Sequence, residues 1–177
     1  MKNFFKYNRV AAIGALVLIV ALSIFGGVNR TVYSYKSKAE KAFSASDTSA
    51  SSDLKKYADF ASQLSAIARS NGTDTSALDK SIAELDTTSP FKGGDRAAEA
   101  IRSSSSVVFA ELSAKKDVDE QQMRSATSFY YEMDSVITRL KNNKEYGNAA
   151  RRYNKAIHSF PANILTGARD DAAVFDG

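Results

Sequence analysis

The side chains that most often carry catalysis are few and scattered in this chain. His158 is the only histidine and cysteine is absent, so a Cys/His pair and a thiolate metal site are excluded. Near the end of a helical pattern, an imidazole can meet unpaired backbone carbonyls. Glu132 and Asp134 point to different helix faces, and Asp170 and Asp171 lie in a tail, which builds neither a metal cage nor an acid–base pair. We therefore predict no catalytic residue, no metal, no cofactor and no enzyme activity.

A cluster of positive charge is the surface most suited to binding. Six basic residues lie between positions 139 and 155, against the single acid Glu145, and they surround Tyr146 and Tyr153. Such a surface fits anionic lipid or an acidic partner, although a solvated face opposite an apolar stripe is the simpler account. The candidate binding residues are Arg139, Lys144, Arg151, Arg152 and Lys155.

One apolar run must position the rest of the chain. It extends from Val10 to Val28, reads VAAIGALVLIVALSIFGGV and has Ser23 as its only polar side chain. A bilayer core about 30 Å thick requires roughly 20 apolar helical residues, whereas a secretory signal core has about 7–15. We predict a retained transmembrane helix, with the lipid bilayer as the partner of residues 10–28, rather than a buried helix of a soluble core.

Positive charge flanks this run and does not extend to the domain. The first 41 residues hold seven basic side chains and one acid, whereas the remainder holds 17 basic and 19 acidic side chains. Nucleic acid is therefore not a predicted partner. Because Lys2, Lys6 and Arg9 precede the run and Arg30, Lys36 and Lys38 follow it closely, the positive-inside rule does not decide the orientation. As a working prediction, we place the leader in the cytoplasm and the domain outside the cell membrane.

Beyond the anchor, apolar residues recur at helical spacing. Val28, Val32, Tyr35 and Ala39 lie three and four residues apart, so the first helix should run over 4–43 with one apolar seam. A hinge over 115–120 either separates two later helices or bends one. The six-residue step from 140 to 146 breaks the last apolar stripe, so either the stripe shifts around the helix or the helix loosens there. The predicted N-caps are Ser52 or Asp53, Thr75 or Ser76, and Asp95; the predicted helix ends are Asn71-Gly72 and Pro161.

These patterns predict an all-α fold, in which an N-terminal transmembrane helix continues into an antiparallel, four-helix bundle. The expected organisation is a basic leader over 1–9, the anchor over 10–28, the bundle over 29–167 and a tail over 168–177.

The closing helix carries the most specific pattern. Tyr146, Tyr153 and Phe160 step by seven residues, which is typical of one stripe packed in a core, with the tyrosine hydroxyls finding partners at the bundle edge. Phe160-Pro161 should end the helix and turn Ile164 back onto it. We therefore expect a buried Phe160.

Residues 146–167, YGNAARRYNKAIHSFPANILTG, resemble the closing motif of the LemA family, in which two Tyr-Asn pairs seven residues apart precede a Phe-Pro-x-Asn turn. Gly147 stands where the first pair has asparagine, Phe43 falls where the family usually has tryptophan, and the family's Arg-Arg-Tyr-Asp-Leu-Ile-Pro-Asn-Leu segment is not matched. The resemblance implies a bacterial membrane-bound bundle without established catalytic residues. The matching residues, taken as structural, are Tyr146, Tyr153, Asn154, Phe160, Pro161 and Asn163.

The predicted function is a non-catalytic interaction or scaffold module at the bacterial cell envelope. It would bind a protein partner whose identity the sequence does not reveal, and self-association is compatible with it. The alternative is a sensory or ligand-binding helical domain, which requires a polar-lined pocket between helices.

Overall fold

The helices of this protein follow the apolar spacing of its sequence. A computed structural model describes residues 2–44, 49–87, 91–165, 167 and 169–175, with side chains omitted for 2–10 and 86–87. The regular structure within these ranges is entirely helical, which confirms the all-α prediction. The helices are α1 Lys2–Ser44, α2 Ala50–Ser70, α3 Ser76–Thr87, α4 Gly94–Ala114, α5 Glu120–Asn142, α6 Lys144–His158 and α7 Ala162–Leu165.

Helix α1 divides into an uncovered half and a packed half. Every residue from Ala11 to Gly27 is exposed, and among the described residues α1 is the one helix long and apolar enough to cross a membrane. Beyond it, Val32, Ala39 and Phe43 are buried in the core. The prediction that the long apolar helix continues into a seam of the bundle is confirmed.

The helices pack as antiparallel pairs. The second half of α1 packs against α6, whereas α2 packs against α5, and α3 and α4 lie on α2. Phe43 near the end of α1 contacts Tyr146 near the start of α6, with ring centroids 5.2 Å apart. At the far end of α2, the Asn71 amide donates to Gln122 Oε1 near the start of α5 at 2.9 Å.

Two predicted N-caps differ from the observed ones. Helix α2 is capped by Ser49, whose side chain accepts a hydrogen bond from the Ser52 N–H at 3.3 Å; Asp53 therefore lies one turn inside the helix. Helix α4 begins after Gly93, whose φ of 76° lets the chain enter the helix without a side-chain cap. Asp95 consequently lies in the first turn of α4 rather than at the cap.

The chain leaves the helix at both predicted breaks, the hinge over 115–120 and the step from 140 to 146. The hinge separates α4 from α5, and the Asp119 carboxylate caps α5 by accepting from two backbone N–H groups. Asn143 separates α5 from α6, and its side chain accepts from the Tyr146 N–H at 3.0 Å. Helix α6 ends at His158, before Pro161, as predicted.

A polar network joins α2 to α3. The buried Ser65 hydroxyl donates to Asp79 Oδ1 at 2.6 Å, the buried Thr75 hydroxyl donates to Oδ2 at 2.8 Å, and Arg69 forms an ion pair with the same carboxylate. Burial opposes ionisation of Asp79, but the three hydrogen bonds and the charge of Arg69 outweigh it and hold its pKa below the usual value.

We expect Asp79→Asn to lower the free energy of unfolding by about 1 kcal/mol at neutral pH, since the carboxylate is partly screened by solvent. Because its folded pKa lies below the unfolded value, ionised Asp79 stabilises the fold above about pH 4, and this contribution is lost as the pH falls through the folded pKa. Chemical unfolding in detergent across this range measures the difference. Asp59→Asn, at an exposed position of α2, is the control; a difference between wild type and Asp79→Asn that does not shrink in acid contradicts the expectation.

Candidate functional site

The inner face of α6 closes the aromatic core. Tyr146 and Tyr153 are 1% and 3% exposed, and their rings pack against Phe43 and Phe91, with centroids 5.2 and 6.0 Å apart. Burial, with a smaller contribution from the nearby Asp95 carboxylate, raises the pKa of the Tyr146 hydroxyl, so this group stays protonated and can donate. The predicted core positions of both tyrosines are confirmed.

The tyrosine hydroxyls and Asn154 hold the C-terminal end of the chain. Tyr146 donates to the Ala173 carbonyl at 2.6 Å, and Tyr153 donates to the Asp170 carbonyl at 3.4 Å. The Asn154 side chain pairs with the backbone of Ala172 in both directions, accepting from its N–H at 2.7 Å and donating to its carbonyl at 2.9 Å. Asn154 therefore satisfies both backbone groups of Ala172, as a neighbouring strand would in a β-sheet.

We call residues 169–175 the C-terminal strap. The sequence predicts a tail beyond the bundle over 168–177, but Ala172 and Ala173 are each 3% exposed, and the Ala173 N–H donates to the Phe91 carbonyl at 2.8 Å. The strap also packs on the start of α4, because a Cβ at Gly94 would be in ordinary van der Waals contact with the Phe175 ring, 3.6 Å away. The strap thus completes the core between α6 and the start of α4.

Exposed ion pairs flank the strap. Asp170 pairs with Lys92, which lowers the pKa of the carboxyl and raises that of the amine. His158 Nε2 lies 2.7 Å from Asp171 Oδ1, so the imidazole faces a carboxylate rather than the helix-end carbonyls. All four side chains are well exposed, and such pairs add little stability.

The outer face of α6 carries four of the five candidate binding residues. Lys144, Arg151 and Lys155 follow each other at spacings of seven and four, so they share one face, and all three are exposed, as is Arg152. We call these four residues the basic stripe. The stripe lies opposite Tyr146 and Tyr153, as a solvated helix face would.

Arg139, the fifth candidate, is not on the helix that carries the basic stripe. It lies in α5, and its guanidinium donates two hydrogen bonds to Asp53 Oδ1 at 3.2 and 3.4 Å. Asp53 is only 5% exposed, so Arg139 is committed to neutralising a buried carboxylate of α2. The expectation that Arg139 contributes to a binding surface stays a prediction, since its side chain is 48% exposed while it also pairs with Asp53.

The turn after α6 also departs from the sequence prediction. Phe160 is 80% exposed and Ile164 is 70% exposed, so the expectation that Phe160 packs in the core and Ile164 folds back onto the helix is wrong. The helix ends at His158, and Ser159 takes an extended conformation with ψ of 146°. Beyond His158, residues at the seven-residue spacing therefore no longer lie on the inner face of α6. Pro161 is half-buried, and Asn163 is exposed.

Two cavities bear on the ligand-binding alternative. The first, about 120 Å³, lies between α2, α4 and α5 beside Tyr57 and Ser105, below the about 300–1,000 Å³ of typical ligand pockets. The second is an open groove of about 640 Å³ between α4 and the strap. Its rim carries both signs of charge, with Lys92 and Asp170 paired across it, so it selects neither anions nor cations. The ligand-binding alternative stays a prediction.

The described side chains offer no group of three or more His, Asp or Glu residues placed to hold a metal ion. No protein-family model matches this chain, and searches of curated proteins and of solved structures likewise returned no match. The resemblance to the LemA family therefore stays a prediction that rests on the residues of the closing helix.

Proposed function

We propose that this chain is a single-pass membrane protein of the LemA type, whose bundle docks a protein partner at the bacterial cell envelope without catalysing a reaction. The observation that carries the proposal is the exposure of α1 from Ala11 to Gly27. This half of the helix has a mean hydropathy of 2.5 over an 18-residue window, none of it buried by the protein.

A bilayer is the simplest cover for this surface. A helix that is apolar on every face belongs either inside a large core or inside a membrane, and the bundle covers α1 only from Val28 onward. An α-helix satisfies its own backbone hydrogen bonds, as a lipid environment requires. We propose that the leader lies in the cytoplasm and the bundle outside it, as predicted from the sequence.

The basic stripe supports docking of an acidic protein surface. Its four cations lie on one helix whose inner face is fixed by buried aromatic rings, so the charges are presented on a rigid support. Such surfaces raise association rates and select partners of opposite charge, with a strong dependence on salt. LemA-like proteins have no established catalytic residues, which agrees with a docking role.

We expect Arg151→Glu combined with Arg152→Glu to abolish docking without unfolding the bundle, because both side chains are exposed. Crosslinking in native membranes, compared between wild type and variant, measures this loss. The matched control is Lys55→Glu with Lys56→Glu, an adjacent pair of exposed cations on α2, which changes the net charge equally and should keep the crosslinks. Loss in both variants would indicate a general charge effect, and retention in both would show that the stripe does not dock a partner.

A further inference from the structure

We infer that the turn between α6 and α7 is a second membrane contact, which inserts Phe160 and Ile164 into the leaflet from which α1 emerges. The inference rests on the proposed anchoring of α1 and adds a binding site for lipid on the bundle itself. We call residues 159–165 the membrane turn.

The first observation is the concentration of exposed apolar side chains in this turn. Outside α1, the described part of the chain exposes four large hydrophobic side chains: Val107, Tyr131, Phe160 and Ile164. Phe160 and Ile164, at 80% and 70%, are the most exposed of the four and lie within five residues. Two neighbouring apolar side chains that the bundle leaves exposed indicate an interaction surface rather than part of the core.

The second observation is the height of the turn along α1. Phe160, Pro161 and Ala162 line an apolar groove of about 510 Å³ together with residues 23–32 of α1. Ile24 of this groove lies four residues inside the end of the apolar run at Val28, which is about 6 Å along the helix axis. A run of 19 residues has about the length needed to cross the hydrocarbon core. If α1 spans the bilayer, the turn is therefore level with its outer edge.

The third observation is that the backbone of the turn suits an apolar medium. Within it, the Asn163 N–H donates to the Ser159 carbonyl at 3.1 Å, and the N–H groups of Ile164 and Leu165 donate to the Pro161 carbonyl at 3.2 and 3.1 Å. Proline has no N–H to satisfy. Irregular segments are normally excluded from lipid because their unpaired backbone groups are costly there. These hydrogen bonds remove that cost for three N–H groups of the turn.

Charge beside the turn identifies the kind of lipid. Lys155 is exposed on the last turn of α6, and Arg169 donates to the Asn29 side chain of α1 at 3.1 Å, one residue beyond the apolar run. If α1 spans the bilayer, these basic groups lie at the level of the lipid phosphates of the leaflet beside the turn. An apolar pair flanked by cations is the pattern of an interfacial anchor for anionic bilayers.

Single tryptophans test the inference in the full-length protein, because the natural chain contains none. Phe160→Trp, Leu18→Trp and Tyr131→Trp all replace well-exposed side chains; they report on the turn, the anchor and the distant helix α5. The proteins are reconstituted in phosphatidylcholine–phosphatidylglycerol vesicles whose acyl chains carry bromine. We expect the emission of Phe160→Trp to fall about twofold, since interfacial segments sit about 5–10 Å into the headgroup–acyl boundary.

Leu18→Trp should also be quenched, most strongly by bromine near the chain ends, and Tyr131→Trp should not be. Quenching of Leu18→Trp without quenching of Phe160→Trp overturns the membrane turn and leaves the anchor intact. A blue-shifted but unquenched Phe160→Trp would mean that protein, such as a second copy of the chain, covers the turn, which also overturns it. An unquenched Leu18→Trp overturns the anchor and, with it, the inference.

Discussion

Tyr146→Ala is expected to lower the free energy of unfolding by about 3–5 kcal/mol, the usual cost of deleting a fully buried aromatic ring. The Tyr146 ring is 1% exposed and touches the rings of Phe43 and Phe175, with centroids 5.2 and 6.1 Å apart. The cavity would open where α1, α6 and the strap meet, so all three lose packing at once. Chemical unfolding in detergent, followed by far-UV circular dichroism, measures the loss.

Tyr146→Phe separates the ring from its hydroxyl. This variant keeps the packing and removes the donor to the Ala173 carbonyl, which lies 2.6 Å away in a buried setting. An acceptor left unsatisfied costs about 1–3 kcal/mol, so the phenylalanine variant should fall between wild type and Tyr146→Ala. Tyr131→Ala, at a position 66% exposed, is the control and should change the stability by less than about 0.5 kcal/mol. Equal stability of Tyr146→Ala and Tyr131→Ala would mean that the strap and core do not meet as described.

Helical spacing was sufficient to predict the buried faces of the long elements. Residues three and four apart necessarily share a helix face, which is why the seam through Val32 and Ala39 and the inner face through Tyr146 and Tyr153 could be predicted. Local polar chemistry was sufficient for the helix end at Asn71-Gly72, where Gly72 has the left-handed φ of 69°.

Spacing fails where a helix has already ended. Phe160 continues the seven-residue step of Tyr146 and Tyr153, but α6 ends two residues earlier, so its side chain points away from the core. The packing of the strap could not be predicted because spacing gives no signal there. Its short sequence has no helical period, and its partners, Tyr146 and Asn154, lie 27 and 18 residues earlier in the chain, so only the folded chain brings them together.

Arg139 shows the same limit for charge. In the sequence it belongs to the basic cluster of the closing helices, while Asp53, the carboxylate it neutralises, lies 86 residues away. Basic residues that are close in sequence can therefore have different roles: Arg139 pairs with a buried carboxylate, whereas the basic stripe forms an exposed helix face.

Arg139→Met should lower the free energy of unfolding by about 2–3 kcal/mol. Removing one partner of a buried ion pair costs about 3–5 kcal/mol because a charge is left buried without compensation; the partial exposure of Arg139, 48%, places the expected cost at or below the lower end. Lys141→Met, at an exposed position in the same helical turn, should cost less than about 0.5 kcal/mol. Unfolding by denaturant, at constant ionic strength, provides the comparison.

A double-mutant cycle with Asp53→Asn tests the cause. The asparagine carries no charge, so in its presence Arg139→Met should cost no more than about 1 kcal/mol, the value of an ordinary hydrogen bond. If Arg139→Met costs the same in both backgrounds, its effect comes from packing of the side-chain stem and not from Asp53. The pair also separates stability from docking: Arg139→Met should weaken the bundle and leave docking of the folded fraction intact, whereas reversing Arg151 and Arg152 should do the opposite. The two sets of variants therefore distinguish a basic residue that stabilises the fold from basic residues that recognise a partner.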